Sequence, residues 1–350
     1  RGGYEKAVSD CLGSGNGNIW ILYCLLMVIS HILASVMSLG SVIIILAAIL
    51  PAIQGKMSRE NDFITSAVTC GYCTLFLWAP GTVTVLMSMQ VFDIGWKDYF
   101  MPAFLLAMFG LVFGAAVSWF SYHGKKLKTE GAESKTDINA IKKIGQLVLV
   151  MAIITIGISV FEKAGFSTSI GRLLVITLLV AFVWLLMQTG KDFFKEVPSQ
   201  WWNNKLPKNG DLSSFFISMG IFSAAISYSG IENIMIQLAN NHPLLFQTGA
   251  IWTLPLIIAM LSLIGIHPFV SVLMVGPIMA GMNLPYSNLQ MGLAMSLGCC
   301  VSYMISPFAG LILTLSNGLN EKPSHICFNV NLFFAVLYYV LTECIIVFFI

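Results

Sequence analysis

The sequence predicts an all-α polytopic membrane protein of two inverted-topology repeats, each with a re-entrant hairpin and a broken transmembrane helix. Three observations lead there: an apolar composition, a self-match between the two ends of the chain, and the placement of the basic residues. Of 350 residues, 57% are hydrophobic and 10% are charged. A soluble domain of that composition would have too little polar surface to face water, so lipid is the solvent. The net charge of +2 comes with no basic block dense enough to bind nucleic acid and no acidic tail.

Apolar runs of spanning length, about 20 residues, cover 19–39, 103–120, 144–161, 173–187 and 330–350. The eight cysteines fall mostly inside such runs and read as small core residues rather than a disulfide framework. Cys70 and Cys73 form a CxxC, but Thr69, Gly71 and Tyr72 beside them offer no further metal ligand, so packing is the expected role.

Sliding the chain along itself gives a match at a shift of 227 residues. Gly3 falls on Gly230, Glu5 on Glu232, Ser35 on Ser262, Ala67 on Ala294, Gly71 on Gly298, Cys73 on Cys300, Pro80 on Pro307 and Leu86 on Leu313. With one residue of slip, Pro51 pairs with Pro277. The order of features also repeats: amphipathic segment, apolar run with a Gly-centred break, polar loop, Pro-broken helix, final span. This divides the chain into a first inverted repeat (1–122), a cytoplasmic loop with two connecting transmembrane helices and an amphipathic linker (123–210), and a second inverted repeat (211–350). The second copy has an additional helix over 212–228, so the first copy's counterpart is expected upstream of Arg1.

Basic residues collect on the cytoplasmic side of membrane proteins. Lys125, Lys126, Lys128, Lys135, Lys142 and Lys143 place the central loop inside. Tracing outward puts Lys56, Arg59, Lys191, Lys195, Lys205, Lys208 and Lys322 inside as well. Lys97, Lys163 and Arg172 fall outside, leaving 15 of the 18 basic residues inside with Arg1 and Lys6. The tracing requires 19–53 to enter from the cytoplasm and return there, while 247–279 enters from outside and returns outside, which makes the two copies inverted.

Four interruptions then form two corresponding pairs. The hairpin tips are Ser38, Leu39, Gly40 and Ser41 in the first copy, and Ile264, Gly265, Ile266, His267 and Pro268 in the second. The broken spans are 63–92, divided at Trp78, Ala79, Pro80, Gly81 and Thr82, and 289–319, divided at Ile305, Ser306, Pro307, Phe308, Ala309 and Gly310. Proline removes a backbone donor and clashes with the preceding turn. Bare backbone at membrane depth must be buried in protein or line a cavity, where carbonyls can hold a cation and half-helix N-termini an anion. The short pieces after the prolines end in polar patches, Ser88 with Gln90 and Ser316 with Asn317. Simple kinked helices packed at their glycines are the competing reading of all four.

At these breaks the chain resembles the ion transporter superfamily, which includes divalent-anion sodium symporters, arsenite and sodium/proton antiporters, and the large membrane subunit of TRAP transporters. Gly40-Ser41-Val42, Ala79-Pro80-Gly81-Thr82, Pro277 and Ser306-Pro307-Phe308-Ala309-Gly310-Leu311 are similar to that subunit's motifs. The chain departs from it in having one proline per break instead of two, and it lacks the Ser-Asn-Thr tips of the divalent-anion symporters. The resemblance implies a multi-pass protein of a bacterial or archaeal inner membrane. It also implies an elevator, in which hairpins and broken helices carry a substrate and sodium past a scaffold at 103–120, 212–228 and 330–350. Amphipathic 3–12 and 230–239 would link the two parts. A homodimer is implied, and, if the chain is TRAP-like, a small membrane subunit and a solute-binding protein.

The expected substrate and ion site comprises Ser38, Gly40, Ser41, Ala79, Pro80, Gly81, Thr82, Ser88, Gly265, His267, Pro268, Ser306, Pro307, Gly310, Ser316 and Asn317. Sodium, the expected coupling ion, would lie at the backbone of Gly40, Pro80, Gly265 and Pro307. No Lys or Arg falls in the breaks, so a carboxylate would be held by helix N-termini, hydroxyls, amides and sodium, and a neutral substrate stays open. His267 could bind a carboxylate, carry a proton, or cap the backbone at its tip. His31 reads as a packed, hydrogen-bonded helix residue, and Glu162, Lys163 and Arg172 as interfacial anchors. Glu343, an acid within a span, reads as a functional group or as a scaffold or dimer contact.

Secondary transport of a small organic anion is the expected function, with a proton-coupled carrier or exporter as the alternative. A channel is a further alternative, since re-entrant loops also build filters. Membrane enzymes need HExxH, GxSxG or paired aspartates; the spans carry none of these, and no enzymatic activity is expected.

Overall fold

A computed structural model describes residues 4–13, 18–127, 138–165, 169–189, 247–282 and 284–350, with isolated positions between 202 and 242. The expected helices at 212–228 and 230–239 lie largely outside the described residues, as do Lys128, Lys135, Lys191, Lys195, Lys205 and Lys208.

The first run of helices is α1 (Tyr4–Gly13), α2 (Ile19–Met37), α3 (Gly40–Ile53), α4 (Glu60–Cys73), α5 (Leu75–Trp78), α6 (Val83–Val91) and α7 (Trp96–Tyr122). Two helices follow, α8 (Ile138–Lys163) and α9 (Ser169–Thr189). The last run is α10 (Ala250–Leu263), α11 (Pro268–Ala280), α12 (Asn288–Ile305), α13 (Gly310–Leu319), a π-helical turn at His325–Asn331, and α14 (Leu332–Phe349). No strand forms among the described residues, although an antiparallel bridge joins Asn18 to Lys126.

Local chemistry sets the boundaries. Asn18 starts α2 by accepting from the backbone of Trp20 and Ile21, the usual satisfaction of first-turn donors. Ser287 and Gln290 form a reciprocal capping box at the start of α12. Pro268 opens α11, where its missing N–H is not needed. At the start of α7, Glu162 reaches over from α8 to accept from the N–H groups of Trp96 and Lys97 at 2.9 and 3.1 Å, and it pairs with Arg172 at 3.2 Å. Two of the expected interfacial anchors thus join α8 and α9 to the N-terminus of α7.

The interrupted spans Glu60–Val91 and Asn288–Leu319 are each 32 residues long, and 72% of an apolar 18-residue stretch in each is buried, against 22–33% for the corresponding stretches of α7, α8 and the final span. They therefore form the centre, and the less buried helices form the rim. The rim turns Leu105, Val112, Ile153, Ile156, Leu178, Phe333 and Phe348 outward, as a lipid-facing surface requires. α10 packs along α12 as α2 packs along α4, and the second hairpin arms cross over, α3 onto α13 and α11 onto α6. α1 buries Ala7, Val8 and Leu12 and packs between α3 and α8.

The hairpins are unequal. α3, α10 and α11 have 14, 14 and 13 residues, but α2 has 19, about 28 Å at 1.5 Å per residue. The length of the first hairpin is thus concentrated in one arm that is long enough to cross a bilayer.

Candidate functional site

Each central helix breaks for the same local reason. A residue ahead of proline is pushed out of the helical region, and Ala79 and Ser306 are both extended, with ψ of 121° and 120°. The helix resumes after a short turn. Thr82 caps α6, accepting from Val85 N–H and donating to the Ala79 carbonyl. Ser306 donates to the Ser262 carbonyl of the neighbouring hairpin and accepts from Phe308 N–H.

The backbone left over at each break is met by the following segment. Leu77 and Met304 are each the third residue before the proline. Tyr99 of α7 donates its hydroxyl to the Leu77 carbonyl at 2.9 Å, and Asn331 of the π turn donates its amide to the Met304 carbonyl at 3.1 Å. Each clamp also crosses to the other run of helices, Tyr99 to Ser296 at 2.6 Å and Asn331 to Thr69 at 3.4 Å. Ser296 and Thr69 stand the same number of residues ahead of their own prolines.

The phenol has one proton and gives it to a carbonyl, which can only accept. Ser296 must therefore donate to Tyr99, and Ser88, 2.8 Å away, to Ser296. Ser88, expected to line the break, is instead the first donor of a buried chain joining α6, α12, α7 and α5. Ser316 likewise donates to the Glu321 carbonyl at the end of α13, and Asn317 faces out from the same turn.

The tips meet on the second break. A Cβ on Gly310 would come 3.1 Å from Leu39, and one on Gly265 would lie 3.8 Å from the Phe308 ring. Between the tips runs an aromatic ladder. Ser38 Oγ lies 3.3 Å from Tyr72 OH, Tyr72 meets Phe76 edge-on, Phe76 stacks on Tyr303 with centroids 4.2 Å apart, and Tyr303 OH lies 3.4 Å from His267 Nε2. His267 Nδ1 accepts from Phe269 N–H, so Nε2 carries the proton and points it at Tyr303. The cap expected as one reading of His267 is present, and it leaves the ring's donor facing the other tip.

Other expected site residues fall around this ladder. Ser41 is buried and donates to the Ser38 carbonyl, while Gly40 and Gly81 are exposed, with nothing within 4 Å of an added Cβ. Pro80 and Pro268 are buried and Pro307 half-buried. The left-handed position of the first tip belongs to Ser38, at φ 49° and ψ −134°, and not to Gly40; in the second tip Gly265 takes it, at φ 97°.

His31 has the packed role expected of it. Its Nε2 accepts from Trp78 Nε1 at 3.0 Å, which leaves the proton on Nδ1 for the Gly71 carbonyl at 3.0 Å. Cys70 and Cys73 are both buried in α4 as thiols.

The sequence did not reveal a cavity of about 510 Å³ between α4, α7 and the π turn. Thr69, Met304 and Asn331 line it together with Arg59, Asp62 and Lys125. Arg59 is 75% exposed and bonded to Asp62, which also pairs with His325, so the charges mark the mouth. Two asparagines close together in the otherwise apolar stretch 326–336, Asn329 and Asn331, were the available signal.

The fold by itself defines an all-α membrane protein, with six helices among the described residues long and apolar enough to cross a bilayer. No known family model and no characterised protein matches the chain.

Proposed function

We propose that the chain is a secondary active transporter, in which two inverted repeats form an elevator that couples sodium to the uptake of a small organic anion. The observation that carries this reading is the paired clamp. Tyr99 on Leu77 and Asn331 on Met304 do the same job in the two halves, and each also reaches across to the other half. Corresponding breaks held alike in oppositely inserted copies are what alternating access by symmetry exchange requires. Close contacts of Gly71 with α2 and of Gly298 with α10 recur at matched positions and support the same relation.

In this reading the hairpin arms α3 and α11 re-enter without crossing. Sodium binds carbonyls around Gly40, Pro80, Gly265 and Pro307, and the substrate carboxylate lies by the Ser38–His267 ladder. Arg59 and Lys125 at the cavity mouth draw anions toward the cytoplasmic face.

The test is the melting temperature of the purified full-length protein in detergent, titrated with sodium against potassium and then with dicarboxylates, sialic acid and other organic acids. Sodium is expected to stabilise the fold, and one acid to deepen the effect. A ligand at 100 times its Kd adds about 2.7 kcal/mol. A melt that ignores sodium and every acid overturns sodium coupling.

A further inference from the structure

Glu343 lies in α14 with its side chain fully buried, and neither carboxyl oxygen has a hydrogen-bond partner among the described residues. The surroundings are built nonetheless. Tyr339, one turn earlier, donates to the Trp252 carbonyl at 2.7 Å, and Tyr286 donates to the Thr248 carbonyl. The two tyrosines thereby tie the root of the α10–α11 hairpin to α14 and to the start of α12. Gln290 completes the frame by donating to the Ile346 carbonyl.

Tyr286 and Tyr339 are the titratable groups that sense Glu343. α10 contains no titratable residue. Those of α12, Cys299, Cys300 and Tyr303, stand at least two turns beyond Gln290, and Lys97 and Asp98 of α7 lie about two turns before Leu106, which faces Tyr338. Among the described residues no Lys, Arg or His pairs with Glu343.

An ionised carboxylate there would be unpaired and unsolvated, a state that costs far more than protonation. A hard cation would need several oxygens converging on it, and among the described residues Glu343 belongs to no group of three or more His, Cys, Asp or Glu side chains that could hold one. A proton needs nothing more than the carboxyl itself. Tyr286 is only half-buried and gives the proton a short way to water.

We propose that Glu343 is an exchangeable proton-binding site at the root of the second hairpin. It is separate from the tip site and stands whether or not sodium is the coupling ion. The experiment uses the full chain in lipid nanodiscs, treated with dicyclohexylcarbodiimide, which modifies protonated carboxyls in apolar surroundings, and read by peptide mass spectrometry. Glu343 is expected to be labelled at neutral pH, to lose the label progressively toward alkaline pH, and to show none in Glu343→Gln. Glu60, half-buried at the start of α4 with its carboxylate accepting from the Gly55 N–H, should stay unmodified throughout. Because the reagent must reach the site, the infrared carbonyl stretch of protonated carboxylic acid is recorded in parallel, and Glu343→Gln should remove one such band. Identical infrared spectra for the wild type and Glu343→Gln, or labelling and a band that do not change with pH while the chain stays folded, overturn the proposal.

Discussion

Phe76 and Tyr303 stack with ring centroids 4.2 Å apart and planes 26° from parallel, and each is the fourth residue before the proline that breaks its helix. The contact joins the two interrupted spans at the level where both tips arrive. Phe76→Ala is expected to cost about 3–5 kcal/mol, as for other buried Phe truncations. Tyr303→Phe keeps the ring and should cost about 1 kcal/mol or less, yet weaken anion binding through the lost partner of His267. Melting curves and the acid titration together distinguish packing from binding.

Tyr99→Phe and Asn331→Leu each leave a carbonyl beside a proline break without its partner. Both should destabilise by about 1–3 kcal/mol, the usual cost of an unsatisfied buried group. Similar losses measured by thermal melts would show that the clamps are equivalent. A neutral Asn331→Leu beside a damaging Tyr99→Phe would mean that water from the adjoining cavity replaces the amide.

The glycines divide into two classes. A Cβ on Gly71 would run into the Met27 carbonyl, and one on Gly298 would sit 2.7 Å from Pro255 Cα, whereas Gly40 and Gly81 have open space. Gly71→Ala and Gly298→Ala should lower the melting temperature sharply because helix backbones must separate. Gly40→Ala and Gly81→Ala should fold as the wild type does. Lost sodium or acid stabilisation in that second pair would mean that a ligand approaches the backbone there, and unchanged titrations would remove those two positions from the site.

Ser38 holds a backbone conformation that suits glycine, at a cost of about 1–3 kcal/mol, and in return places its hydroxyl 3.3 Å from Tyr72. Ser38→Gly is expected to raise stability by about 1 kcal/mol, since a half-exposed hydrogen bond returns less than the strain takes. A lower melting temperature would show that the Tyr72 contact outweighs the strain.

The sequence by itself determined the membrane class, the course of most helices, and the positions of both broken spans. Those features are local: apolar run length decides where a chain is stable in lipid, and Pro80, Pro307 and Gly265 act on the residues beside them. His31 was legible too, because an isolated histidine on an apolar face must find partners nearby. What Ser88, Ser316, Tyr99 and Asn331 do was decided by the tertiary structure alone. Their partners are side chains and carbonyls on other helices or beyond a helix end, and nothing in a residue's own neighbourhood records which carbonyl a proline has released across the bundle. The isolation of Glu343 has the same origin. Burial of a carboxyl follows from how α10, α12 and α14 close around it, a property of their packing that appears in none of their sequences.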